Sequence, residues 1–222
     1  MRLKLSPVSM VIFASFTGLT NAEESHDFYA KLYGGATVMS DKKFDQTGVS
    51  GVAAGARGTT SLDAGWGFGG AVGYNLNNNI STELAWDYMT NGATTTFTDG
   101  TKLDGDGDFS SSILFVNGIY KFDPITRHNI RPYLGAGVGY VDEIDLDTKK
   151  NGVETSYSTD GEFAWQAIAG VEYPINTKWS LNADARYVNA VGLELKNEAG
   201  TGTLKNVDYN PTSLMFGVTY NF

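Results

Sequence analysis

The sequence predicts an all-β fold, an eight-stranded antiparallel transmembrane up-and-down β-barrel, on three observations. Eight segments alternate large apolar residues with small or polar ones, the period of two that marks a strand. The large residues share a face that must point outward, because eight strands enclose a lumen only just wide enough to be filled by side chains. The connections alternate short and long, as the periplasmic turns and extracellular loops of outer-membrane barrels do.

The first segment, 27–39, puts Phe28, Ala30, Leu32, Ala36 and Val38 on one face. The second, 65–76, groups Trp66, Phe68, Val72, Tyr74 and Leu76 opposite Gly65, Gly67, Gly69, Ala71 and Gly73. In the third, 80–90, Ile80, Thr82, Leu84, Trp86 and Tyr88 oppose Ser81, Glu83, Ala85 and Asp87. The fourth, 108–122, is apolar on both faces; taking Leu114, Val116, Tyr120 and Phe122 as outward leaves Asn117 and Lys121 inward.

The fifth segment, 130–141, sets Leu134, Ala136, Val138 and Tyr140 against Arg131, Tyr133 and three glycines. The sixth, 162–175, turns Phe163, Trp165, Ala167, Ala169, Val171 and Tyr173 away from Gln166 and Glu172. The seventh, 178–190, sets Trp179, Leu181, Ala183, Ala185 and Tyr187 against Asn182, Asp184 and Arg186. The last alternates to the end of the chain through Leu214, Phe216, Val218, Tyr220 and Phe222.

Connections 77–79, 123–129 and 176–177 are short, whereas 40–64, 91–107, 142–161 and 191–211 read as four long loops rich in Gly, Asp, Thr and Asn. A soluble up-and-down barrel would bury its bulk and expose its polar residues. Here Trp, Leu, Phe and Tyr crowd one face while Gly, Ala, Ser, Asn and charges fill the other. The bulky face therefore meets lipid, with aromatics near the strand ends where interfacial girdles belong.

Ahead of the barrel, Arg2 and Lys4 precede a diluted apolar run to Leu19 and a small-residue site at Thr20–Ala22, which predicts a cleaved secretory signal over 1–22. A single barrel domain over 23–222 follows. Removing the leader lowers the basic count from 16 to 14 against 25 acidic residues, a net charge of −11. Such an acidic surface without basic clusters argues against nucleic-acid binding. The chain has no cysteine, so no disulfide holds it together.

On this register Lys31, Glu83, Asp87, Lys121, Arg131, Glu172, Asp184 and Arg186 all point into the lumen. Charges of both signs in a narrow, dry space should pair, since a lone buried charge is costly. They either plug the barrel or line and gate a path through it. A general diffusion porin is excluded, because a wide aqueous channel needs about 16 strands. The inward positions are otherwise Gly-rich and carry no ring of leucines.

The stretches IRPYLGAGVGY (130–140), FAWQAIAGVEYPINTKWSLNADARY (163–187), VDYNPTSLMFGVTYNF (207–222) and NNNISTELAW (77–86) resemble the small eight-stranded Gram-negative outer-membrane barrels of the OmpW and opacity type. The resemblance implies an outer-membrane location and, from the OmpW side, passage of small hydrophobic molecules through a narrow lumen with a lateral exit. It also implies that Phe222 is a C-terminal aromatic read by the outer-membrane assembly machinery.

Catalysis is not expected. The two histidines, His26 and His128, fall on the periplasmic side, away from any extracellular serine that would need a base within hydrogen-bond reach. The DGDGD stretch puts Asp104, Asp106 and Asp108 at calcium-loop spacing, yet Phe109 and Phe115 stand where the loop glycine and the bidentate glutamate belong. No cofactor is implied. The expected partners are outer-membrane lipid and lipopolysaccharide, the assembly machinery and host or matrix surface molecules met by the long loops, with the protein itself a monomer. The sequence favours a structural and surface-contact role through those loops, with narrow solute passage as the alternative.

Overall fold

The computed structural model describes residues 28–49, 52–103, 107–125, 129–150, 153–198, 200 and 202–222. The expected leader, both histidines, Asp104 and Asp106 lie outside them. The chain runs through β1 (Phe28–Val38), β2 (Lys42–Thr47), β3 (Arg57–Leu62), β4 (Gly65–Asn75), β5 (Ile80–Phe97) and β6 (Gly107–Lys121). It continues through β7 (Arg131–Lys150), β8 (Val153–Thr159), β9 (Phe163–Pro174), β10 (Trp179–Asn197), β11 (Thr203–Tyr209) and β12 (Thr212–Asn221).

Eight of these strands close a barrel in the order β1, β4, β5, β6, β7, β9, β10, β12, with β12 pairing back to β1. Every pairing is antiparallel, and the outward residues are those the alternation picks out. Leu32, Trp66, Val116, Val138, Trp165 and Phe216 are among the exposed apolar residues of this wall. The doubly apolar fourth segment resolves as expected: Val116, Tyr120 and Phe122 face out, while Asn117 is buried inside with Ile113, Phe115 and Ile119.

The four long loops are a correction. They are largely strand, because β5, β6, β7 and β10 are 15–20 residues long where about 9–11 suffice to cross a membrane. Their extracellular halves pair with the four short strands β2, β3, β8 and β11 and close a second ring: β2, β3, β5, β6, β7, β8, β10, β11 and back to β2. The barrel is thus two stacked tiers. Pairing the backbone of each long connection this way satisfies groups that a loose loop would leave to water.

The interior changes chemistry between the tiers. Below, the buried side chains include Lys31, Glu83, Asp87, Asp184 and Arg186. Above, they include Phe44, Phe97, Phe109, Leu146, Leu193, Leu195, Leu204 and Val207. The expectation of no inward leucines holds for the lower tier only.

Candidate functional site

The lower lumen is filled from glycine-lined walls. A Cβ on Gly69 would stand 2.5 Å from Asp87 Oδ1 and 2.6 Å from the Tyr33 ring, so the bare backbone of β4 is what lets those two side chains occupy the axis. Asp87 accepts from the Tyr33 hydroxyl at 2.5 Å and from Arg186 Nη1 at 3.1 Å. Arg186 Nε donates to Asp184 Oδ1 at 2.6 Å, and its guanidinium lies 3.8 Å from the Tyr33 ring centre. Asp184 Oδ2 also takes Lys31 Nζ at 3.1 Å and the Tyr133 hydroxyl at 2.6 Å.

The ion-paired side chains Lys31, Asp87, Asp184 and Arg186 are at most 7 % exposed. Two acids meet two bases, so the layer is neutral and closed by short bonds. Nearer the periplasm, Tyr29 donates to Glu83 at 2.9 Å and Lys121 sits 3.4 Å from Glu172. These last residues border a small cavity with Asn182 and Thr219.

Seven of the eight predicted lumen charges therefore point inward together. Arg131 shares the inward face with its cross-strand partner Glu172 but sits at the periplasmic end of it, away from the others. It stands at the first residue of β7, and its guanidinium reaches down to the turn carbonyls of Asn78 (2.5 Å) and Phe122 (3.4 Å). The tyrosines Tyr29 and Tyr33 were missed, although the parity of β1 places them beside Lys31. Asp108 is exposed on β6, and no cluster of metal-ligating residues occurs among the described residues.

Above the ion pairs lies a methionine layer. Met89 and Met215 both lean over Gly67, and Met39 Sδ accepts the Asn210 N–H at 3.3 Å. Methionine is flexible and fills irregular gaps. The apolar tier follows, roofed by Val49, Ala56 and Leu103 from the β2–β3 and β5–β6 connections. Asp99 ties these two connections together by accepting the N–H groups of Ala53 (2.7 Å) and Thr101 (2.8 Å). Those backbone bonds hold its carboxyl below the usual aspartate range.

The wall of the barrel has a break at the tier boundary. Among the described residues the β9–β10 ladder ends at Trp165–Asn189, and the β8–β10 ladder resumes only at Ser158–Lys196. The β8–β9 connection turns instead to β7, where Val141 N–H donates to Glu162 O (2.8 Å) and Gly161 N–H to Val141 O (2.9 Å). Phe163 and Val191, 79 % and 63 % exposed, flank the break outside; Ala164, Ala190 and Leu193 are buried behind it.

A profile of the outer membrane protein beta-barrel domain matches residues 9–222. The chain belongs to that family. This outer-membrane barrel is 26 % identical to outer membrane protein W of Salmonella typhi, over 99 % of both chains. It is 30 % identical to outer membrane protein AlkL of Ectopseudomonas oleovorans over 121 residues, about half of each. Its fold is similar to the crystal structure of OprG from Pseudomonas aeruginosa, with a TM-score of 0.64 and 20 % identity over 88 % of this chain and 96 % of that one. The protein is therefore a barrel of the Gram-negative outer membrane, similar to outer membrane protein W, with its short turns facing the periplasm and its second tier outside.

Proposed function

We propose that this barrel is a non-enzymatic, monomeric conduit that takes small apolar solutes into its extracellular tier and releases them sideways into the membrane. One observation carries the reading: an apolar interior lies directly behind a break in the wall, flanked on the outside by the exposed apolar residues Phe163 and Val191. The ion-paired layer beneath gives an apolar molecule no reason to continue downward, since entering would cost the pairs their partners. It equally denies water and ions a wide path. Outward release at the break needs no such sacrifice.

The test is uptake of radiolabelled octane by cells that carry or lack the protein. Uptake should rise with the protein and fall back when Leu195→Arg sets a charge in the upper interior, with heat-modifiable electrophoretic mobility showing that the variant is folded. Equal uptake with and without the protein would defeat the reading. A second role, surface contact with host or matrix molecules, is favoured by the roof that Asp99 ties together, because a fixed surface suits recognition better than loose loops do. Loss of adhesion on deleting 98–103 would mark that role.

A further inference from the structure

Just above the methionines the interior carries two polar atoms that no described residue satisfies. Asn91 is fully buried on β5; its Nδ2 donates to Thr37 O (3.2 Å) and Asp63 O (2.8 Å), and its Oδ1 has no partner among the described residues. Ser213 on β12 is 3 % exposed, and its Oγ has none either. The two belong to one patch. Thr37, whose carbonyl Asn91 holds, is the cross-strand partner of Ser213. The glycine at 65 lies between β1 and β5 at this level and leaves room for Asn91 to cross it.

A buried acceptor and a buried hydroxyl without partners are each costly, so an occupant that satisfies both is favoured. The surroundings restrict what that occupant can be. Phe109 is the cross-strand partner of Asn91 and stacks edge-on with Tyr209 at 5.1 Å, which gives an apolar wall above. Below, Arg186 is the cross-strand partner of Ser213 but already bonds Asp87 and Asp184. The buried lysines are held as well, Lys31 by Asp184 and Lys42 by Asn210 Oδ1. Among the described residues no unpartnered buried cation therefore borders the pair to hold an anion, and Asn91 Oδ1 would repel one.

We propose that Asn91 and Ser213 form a station for the uncharged hydroxyl of a small amphiphile whose apolar chain lies upward against Phe109 and Tyr209. The hydroxyl donates to Asn91 Oδ1 and accepts from Ser213 Oγ. This inference rests on the conduit reading and adds its preferred solute class: straight-chain alcohols over alkanes of equal length, and over carboxylates. A site built to bond a hydroxyl discriminates strongly against the analogue that lacks it.

The experiment measures the protein-dependent part of uptake for 1-octanol, octane and octanoate in the same cells. Octanol should exceed octane by about tenfold, the net worth of one to two hydrogen bonds, with octanoate lowest. Ser213→Ala should shrink the octanol advantage at least threefold while leaving octane unchanged, a loss of one hydrogen bond. Asn91→Leu should abolish it; because Asn91 also bonds the wall, Ser213→Ala is the decisive variant if Asn91→Leu does not fold. Equal protein-dependent uptake of octanol and octane, unmoved by Ser213→Ala, would show that the two atoms hold water only and overturn the station. No protein-dependent uptake of any probe would instead overturn the conduit reading itself.

Discussion

The two tiers are built from the same long strands and yet are inside-out relative to each other. On β10, Leu181 and Trp179 face out while Asp184 and Arg186 are buried; a few residues on, Leu193 and Leu195 are buried while Glu194 and Lys196 face out. Between the two stretches the strand slips by one residue, at the register shift between Ala190 and Leu193. What differs is the solvent, hydrocarbon around the lower tier and water around the upper. The apolar face follows whichever side offers the less polar contact. The lower lumen then has to be polar and self-satisfied, and the upper interior becomes apolar.

The contrast breaks most severely at Arg186. Replacing it with Leu strands Asp87, left with only a tyrosine hydroxyl, and should cost about 3–5 kcal/mol of unfolding free energy in bilayers, read by urea titration. Adding Asp87→Leu should recover most of that loss, because Asp184 keeps Lys31 and the unpaired acid is gone. Failure of the second substitution to rescue would show that the layer is more than a compensated set of charges. In the upper tier, Leu195→Ala should cost about 2–5 kcal/mol as an ordinary core cavity, and no second substitution at a charge should rescue it.

The turn between the two chemistries is itself testable. β10 shifts register between Ala190 and Leu193, and Gly192 there has φ +70°, a conformation that disfavours any side chain. Gly192→Ala should cost about 1–2 kcal/mol and loosen the exchange protection of Leu193 and Leu195 amides before that of the lower tier. At the roof the expected effect is smallest. Asp99 is exposed, and its carboxyl is held below its unfolded value by the Ala53 and Thr101 amides. The stabilisation is therefore complete above the unfolded pKa and is lost as pH falls through the folded one. Amide exchange at Ala53 should accelerate, beyond its intrinsic pH dependence, only on the acid side of the aspartate range, and Asp99→Asn should remove that acid-side step.

The lower tier was legible because its alternation is unbroken and its bulk points one way, from Leu32 on β1 to Phe216 on β12. Seven lumen charges followed from parity alone. Parity also gives the direction of Arg131, but not the length of a guanidinium at a strand end, which reaches the turn carbonyls. The upper tier was illegible for two physical reasons. Its polarity inverts, so a pattern sought with apolar residues outward stops near Val141 and Ala190. The strands also slip there: β7 buries Tyr133 and Val141 below but Ile144 and Leu146 above, and β10 buries Arg186 and Ala190 below but Leu193 and Leu195 above. An extra residue in each strand exchanges its two faces, which to a reader of alternation looks like the end of a strand.

In the proposed conduit the tiers divide the work, the upper admitting apolar solutes and the lower refusing ions. That division is tested most directly by recording ionic current through the purified barrel in planar bilayers beside octane uptake by cells carrying it. No resolved current steps are expected, together with protein-dependent uptake that Leu195→Arg abolishes. Stable current steps that survive Leu195→Arg and change with Arg186→Leu, with octane uptake equal in cells lacking the protein, would contradict it.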